Sequence, residues 1–334
     1  MQFEEVYQDD KRFLSITSLL PEEFDVLFSA FSPRWDQWYK HYTFRFKRRK
    51  KPLTARQLAS PTRTLSTTKD KLFFILYFFK VNPLQAVAAA TFGIDQSQIS
   101  RWRRVLTPIL LAALKDLGLQ AARSTDELIR LFRSRQRQKE TTKQVKSLHL
   151  DASERPIERN LDYSTQKWDY SGKKGQHTAK NTMLCDEYQF IHYVGPTWRG
   201  AIHDKCMVDE EHLDLTNEVF DELWLSKDSG YQGYRTPGKV HHIEVYKAFR
   251  NRPLTDIQKE MNRWISPIRV IVENAIAGVK RVRLAAEKMR HFLASKADNV
   301  MAIAAGLHNL RVVLRPGYQK PPAHIRAILQ PFHT

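Results

Sequence analysis

Hydrophobic residues along this chain follow two different rhythms. In the first third they recur every three or four positions, the spacing of one face of a helix. Leu19 to Phe31 opens on Pro21-Glu22-Glu23 and sets Phe24, Leu27, Phe28 and Phe31 on one side, which predicts an amphipathic helix. Residues 68 to 118 read as wholly helical. Beyond residue 145, short apolar runs alternate with helical stretches. Val145 to Asp151 and Leu223 to Lys227 predict buried strands, each closing on an aspartate, Asp151 and Asp228. Thr182 to Asp186 and Phe190 to Val194 predict a hairpin around Glu187-Tyr188-Gln189, and Val240 to Tyr246 a fifth strand. Helices are predicted over Asp204 to Glu222, Leu254 to Leu284 and Lys296 to Leu314. The second should break near Ser266-Pro267, because proline disfavours helix at the residue before it. The third reads as amphipathic. This order predicts an all-α N-terminal part followed by an α/β domain.

Charge then narrows the partners. Lys and Arg number 54 against 36 Asp and Glu, a formal charge of +18 on 334 residues. Such an excess points to a polyanion, nucleic acid or an anionic membrane. The most apolar run, Leu72 to Phe79, is too short to span a bilayer, and the acidic stretch Met1 to Asp10 lacks a signal-peptide pattern. No membrane role is expected, and nucleic acid is favoured. Cys185 and Cys206, the two cysteines, fit neither a disulfide scaffold nor a zinc site and read as reduced thiols. Basic runs occur at Arg45 to Lys51 and from Arg123 to Lys146. The first is either a solvated segment or a phosphate-tracking one; the second reads as a helix and linker.

Within the helical part, Gln85 to Leu106 has the pattern of a helix-turn-helix. Ala89 is small where a second helix must cross, Gly93 suits the left-handed turn, and Ile99 faces inward, with Phe92, Ile94 and Trp102 adding bulk. Asp95 and Gln98 are spaced as a capping box. Gln96, Ser97, Ser100, Arg101 and Arg104 are then left facing outward, as donors for base edges and phosphates. The alternative is an ordinary helical hairpin with a glycine turn.

The carboxylates suggest chemistry. Asp151 and Asp228 close strands, where α/β sheets present side chains at the rim, although one such aspartate is commonplace. Glu273 lies on an apolar helical stretch, and Arg269, Glu273 and Lys280 share one face. Phosphodiester cleavage in line uses two divalent ions roughly 4 Å apart. Magnesium or manganese select carboxylate oxygens without histidine. Arg269 and Lys280 would then hold substrate phosphates. Trp198, Trp224 and Trp264 read as core or interface aromatics rather than base-stacking groups.

The ordered motifs Leu-Asp-Ala-Ser-Glu-Arg-Pro-Ile (150–157), Tyr-Ser-Gly-Lys-Lys-Gly-Gln-His-Thr (170–178) and Gly-Ala-Ile-His-Asp-Lys (200–205) are followed by three more. These are Lys-Asp-Ser-Gly-Tyr-Gln-Gly (227–233), Arg-Val-Ile-Val-Glu-Asn-Ala-Ile (269–276) and His-Asn-Leu (308–310). Together they resemble the DDE transposases of bacterial insertion sequences, in the group related to Harbinger elements. The resemblance implies an RNase H-like α/β catalytic domain, a mixed five-stranded sheet flanked by helices, behind the helix-turn-helix domain. It implies catalytic and metal-binding roles for Asp151, Asp228 and Glu273, and draws in Asp204, which also suits a helix cap. Ser266 stands where the family's signature has a tyrosine. Tyr170, Lys173, Lys174 and His177 line either the DNA path or a plain basic hairpin; His203 either orients Asp204 or packs.

The domains expected are an N-terminal helical region (1–66), a helix-turn-helix domain (67–122), a basic linker (123–144), the catalytic domain (145–316) and a tail (317–334). The function expected is a transposase that binds the terminal inverted repeats of its element. It cuts their ends by metal-activated hydrolysis and joins the 3′-hydroxyls to target DNA by transesterification. Its cofactors are two Mg2+ or Mn2+ ions, and it uses no nucleotide cofactor. Its partners are double-stranded DNA and further copies of itself, as a homodimer or larger assembly, in the cytoplasm at the bacterial nucleoid. The alternatives are a catalytically silent DNA-binding regulator and a nuclease of the same fold.

Overall fold

A computed structural model describes residues 1–137, 145–248, 251–290 and 294–314. The expected tail and the residues 138–144 of the expected linker lie outside them. The chain divides into two compact units, residues 1–120 with 281–285, and residues 121–280 with the described chain from 286 to 314.

The first unit is built from helices α1 (Phe3–Tyr7), α2 (Asp10–Thr17), α3 (Pro21–His41), α4 (Ala55–Ala59), α5 (Thr68–Val81), α6 (Gln85–Phe92) and α7 (Gln96–Asp116). α3 continues past the expected end at Phe31 and carries Pro33 inside it. Its core is aromatic: Phe3 stacks on Phe24 at 5.1 Å and Phe13 on Phe73 at 6.0 Å. α5 is buried from Lys71 to Phe79, and the Lys71 ammonium is satisfied by the carbonyls of Leu65, Ser66 and Thr67. The basic run is tied down rather than free, through a Tyr42–Arg48 bridge and the Thr43 N–H to Lys47 carbonyl bond. α6 ends where Gly93 turns left-handed, at φ 64°, a conformation that costs glycine little. Asp95 precedes α7, but its side chain makes no capping bond, and the Gln98 side-chain oxygen is buried instead. The capping box expected from their spacing is therefore absent.

The second unit begins with α8 (Thr125–Arg137), inside the basic stretch that reads as a helix and linker. Leu128 and Phe132 of α8 are buried in a core with Leu148, Leu150, Leu184, Tyr193 and Leu225. The sheet comprises β1 (Ser147–Pro156), β2 (Tyr170–Ser171), β3 (Gln176–Asp186), β4 (Ile191–Val194), β5 (Trp198–Arg199), β6 (Trp224–Lys227) and β7 (His241–Glu244). α9 (Tyr163–Asp169) precedes β2, and α10 (Asp204–Glu210) follows β5. α11 (Asp256–Lys280) follows β7; a single turn α12 (Arg283–Ala286) and α13 (Ala294–Leu314) complete the described chain.

The sheet runs β2-β3-β1-β6-β7, with β4 and β5 also on β3. β1 is antiparallel to β3 and parallel to β6, and β6 is parallel to β7, so the sheet is mixed as expected. It has seven strands rather than five, the additions being the two-residue strands β2 and β5 against β3. Such a sheet with flanking helices is compatible with an α/β nuclease.

Three helices of this unit differ from expectation. α10 stops at Glu210, and only a short 3-10 turn at Glu218–Phe220 follows before β6. α11 passes through Pro267 without a break. α13 is not amphipathic: every residue from Val300 to Val313 is buried, which makes it a core helix. Asn309 of α13 donates to the Ile191 carbonyl and accepts from its N–H, locking the helix to β4. No helix among the described residues is long and apolar enough to cross a membrane.

Candidate active site

Sheet register brings the first two acids together. β1 and β6 pair in parallel from Ser147↔Trp224 to Leu150↔Lys227. The next residue on β1 is Asp151, and the next after β6 is Asp228. Asp151 is not at the end of its strand, as the sequence suggests. β1 runs on to Pro156 because β3 pairs with it as far as Pro156↔Thr178. Asp151 reaches a rim because β6 stops, not because β1 does.

Asp204 joins them from α10. It is the first residue of the helix, with His203 at the cap position, so it is not the helix cap. His203 is exposed and makes no capping bond, which removes a packing role. Lys180 Nζ lies 3.2 Å from Asp204 Oδ1 and 3.0 Å from the Ile202 carbonyl. The other Asp204 oxygen faces the turn after Asp228; a Cβ placed on Gly230 would come within 2.6 Å of it.

The charges register this proximity. Burial, followed by the negative charges of Asp228 and Asp204, pushes the Asp151 carboxyl up to about 6, against the N–H of Ala152 and the Lys173 ammonium. Tyr231 is fully buried and its hydroxyl has no partner. Burial, then Asp151, Asp204, Glu211 and Asp228, raise its phenol far above the usual range.

Glu273 is linked through Arg269. One guanidinium nitrogen, Nη2, lies 2.9 Å from Asp228 Oδ1 and 3.7 Å from Glu273 Oε1. The expected helical face of Arg269, Glu273 and Lys280 exists on α11, with Glu273 exposed and Lys280 partly buried. Burial and the Lys174 charge lower the Lys280 ammonium, with Asp151 and Glu154 opposing. Lys173 and Lys174 sit exposed in the turn between β2 and β3, and their charges are felt at Asp151 and Lys280 respectively. His177 packs edge-on against exposed Tyr170 at 5.7 Å.

The donor chemistry suits a hard divalent cation: neighbouring carboxylates, one of them driven toward protonation first by burial and then by the other acids, which a cation would relieve. Chelation is not closed, however. Among the described residues no three histidine, cysteine or acidic side chains sit close enough to hold an ion. Lysine and arginine partners stand among the acids instead.

Two residues at the site were not anticipated from sequence. Lys180 is buried in β3, but its neighbours Thr178, Asn181 and Thr182 are polar, so no apolar context marks it in the sequence. Glu211, just after α10, accepts from Thr182 Oγ1 (2.8 Å), Tyr193 OH (3.0 Å) and Trp198 Nε1 (2.6 Å), anchoring the far end of the helix that presents Asp204. Trp198 is thus a hydrogen-bonding residue, whereas Trp224 and Trp264 are 48% and 76% exposed, not core.

In the first unit, Gln96, Ser97, Ser100, Arg101 and Arg104 are all exposed on α7, while Ile99 and Trp102 are buried. Arg104 also lies over the Phe46 ring at 4.8 Å.

Against known proteins, residues 150–309 match the family described as DDE superfamily endonuclease. They are similar to that family's endonuclease domain, over a little under half of the chain. All four candidate acids fall inside it. The chain is also 29% identical over 170 residues to a probable transposase for insertion sequence element IS702 of Microchaete diplosiphon. That match covers 50% of this chain and 57% of the relative. The likeness to insertion-sequence DDE transposases holds; the link to Harbinger elements has no specific support here. No solved structure matches the chain.

Proposed function

We propose that the protein is a transposase that cuts the ends of its own element and joins them to target DNA at the acidic site. The observation that carries this is the β1–β6 register, which sets Asp151 beside Asp228 across the two central parallel strands of the region similar to a DDE endonuclease domain. Asp204 and Glu273 complete the donor set, through the turn at Gly230 and through Arg269. Divalent ions held by these carboxylates would supply the positive charge that activates an attacking water or 3′-hydroxyl and stabilises the leaving oxygen.

The chain's own groups supply the rest. Lys173 and Lys174 at the β2–β3 turn, with Lys280, place cations where phosphates must approach a cluster of negative charge, and the His177 ring lies beside the same turn. Without them the acids would repel the substrate. α6, Gly93 and α7 form the helix-turn-helix that reads the terminal repeats, its exposed Gln96, Ser97, Ser100, Arg101 and Arg104 meeting bases and phosphates. Joining by direct transesterification exchanges one phosphodiester for another and needs no nucleotide. Two ends must be held together, so the working form is a dimer or larger.

The test is a cleavage and joining assay with magnesium on oligonucleotides carrying the element's ends. Asp151→Ala and Glu273→Ala should abolish both cutting and joining while leaving end binding intact. Normal joining by Glu273→Ala would refute the site. Cuts without joined products would mark a nuclease of the same fold.

A further inference from the structure

Two basic side chains occupy the acidic site in different ways. Lys180 is fixed: its side chain is 10% exposed and it also binds the Ile202 carbonyl. Arg269 is not. Its side chain is 33% exposed, it bridges Asp228 and Glu273 through a single nitrogen, and Glu273 is itself 55% exposed.

Resting on the transposase reading, we propose that Arg269 is an exchangeable internal counter-ion. In the DNA-free protein it neutralises Asp228 and Glu273; when a substrate phosphate arrives it transfers to that phosphate and frees both acids for metal. DNA binding and metal binding are thereby coupled through one side chain.

The chemistry of the group supports the exchange. A guanidinium is permanently charged, and its fork of donors fits carboxylates and phosphates alike. It cannot stay between two carboxylates that are to share a divalent cation, because its charge repels the ion and its N–H groups use the same oxygens. Arg269 and Glu273 are four residues apart on α11, so their pair forms locally. Asp228 arrives from the sheet, so the bridge ties helix to strand. A partly exposed pair of this kind is weak enough to break, and a phosphate offers Arg269 a charge-assisted replacement. The coupling is reciprocal: whatever DNA adds to metal affinity, metal adds to DNA affinity.

The test is titration of the full-length protein with Mn2+, following the loss of the free-ion paramagnetic resonance signal. DNA-free Arg269→Gln should bind Mn2+ about fivefold more tightly than wild type, the effect expected for releasing one partly exposed ion pair. A short DNA duplex should tighten Mn2+ binding by the wild type, relative to duplex alone, and do so less for Arg269→Gln. Thermal melts establish that each variant is folded. Equal or weaker Mn2+ binding by Arg269→Gln, or an equal duplex effect in both proteins, overturns the proposal. Asp151→Asn separates this from the underlying reading. It should weaken Mn2+ binding about tenfold or more, through loss of a charged oxygen donor. If it does not, the acids are not the metal site at all. If it does, while Arg269→Gln brings no gain, only the exchange fails.

Discussion

Replacing Asp151 with asparagine should make the protein more stable, and the gain should depend on pH. Asparagine keeps an oxygen for the Ala152 N–H, which Asp151 Oδ1 accepts at 2.7 Å, and removes only the charge. In the folded protein the Asp151 carboxyl is pushed from 3.8 up to about 6, by burial first and then by Asp228 and Asp204. The folded state therefore holds a proton that the unfolded chain releases between those values. Stability that is complete below pH 4 is lost as pH rises through 6. At 1.36 kcal/mol per unit, the loss reaches at most about 3 kcal/mol at neutral pH. Asp151→Asn does not suffer it, and for a unit of this size that corresponds to a melting point higher by roughly 5–10 °C. The assay is thermal unfolding in EDTA from pH 4 to pH 8, wild type against variant. The two curves should converge near pH 4 and separate by pH 7. A variant no more stable than wild type at pH 7.5, or a gain that does not shrink on acidification, would refute the claim that burial and the neighbouring acids raise the Asp151 carboxyl. Adding Mn2+ at pH 7.5 should reverse the order, since only the wild type keeps the full donor set.

Other expectations follow from close approaches. Gly230→Ala puts a methyl 2.6 Å from Asp204 Oδ2, so the carboxylate must turn away from the Asp228 turn. Cleavage and joining should fall at least about tenfold, on the scale of a misplaced catalytic group, with a melting point within a few degrees of wild type. Gly278→Ala directs its new carbon into the His308 ring, which is held by the Gln189 carbonyl at 2.9 Å. Because α13 is buried from Val300 to Val313, the strain cannot relax outward. A loss of about 2–3 kcal/mol in urea unfolding is expected, in line with overpacked cores.

Much of the second unit was legible in the sequence because its signals are local. An apolar run ending in aspartate marks β1 and β6, and the Glu187-Tyr188-Gln189 segment marks the β3–β4 turn. What escaped depended on partners distant in the chain. The apolar run predicts a strand that closes at Asp151, and polar Ser153, Glu154 and Arg155 follow it. Antiparallel pairing with β3 carries it on, leaving Ser153 and Arg155 each about 1% exposed. The predicted amphipathic character of α13 requires polar residues on an exposed face, and His308, Asn309 and Arg311 do not provide one. In the structure they are buried and bonded, to the Gln189 carbonyl, to Ile191 and to the Gly278 carbonyl. Pro267 predicted a break, but one missing N–H in a helix of 25 residues did not end it. The Asp95–Gln98 spacing was right for a capping box, and the inward turn of Gln98 defeated it.

The candidate acids were legible as residue types in sequence order, yet neither their relation nor their neutralisation was. Asp151 and Asp228 are 77 positions apart in the chain, and one register, Leu150↔Lys227, decides that they meet. A slip of one residue in that pairing would turn one of the two carboxylates to the opposite face of the sheet. The positive charges could not be assigned from the chain alone either. Lys180 lies in the part of β3 that precedes the strand predicted over Thr182–Asp186, and Arg269 reads as a phosphate ligand or as half of a helical ion pair. The fold makes it both in turn on the exchange proposed above, because the same guanidinium that reaches Asp228 is exposed enough to leave it. On that proposal, acids that hold divalent cations in the working complex are neutralised without them by an arginine rather than by a second fixed lysine, because a partly exposed guanidinium can depart when the substrate brings its own negative charge.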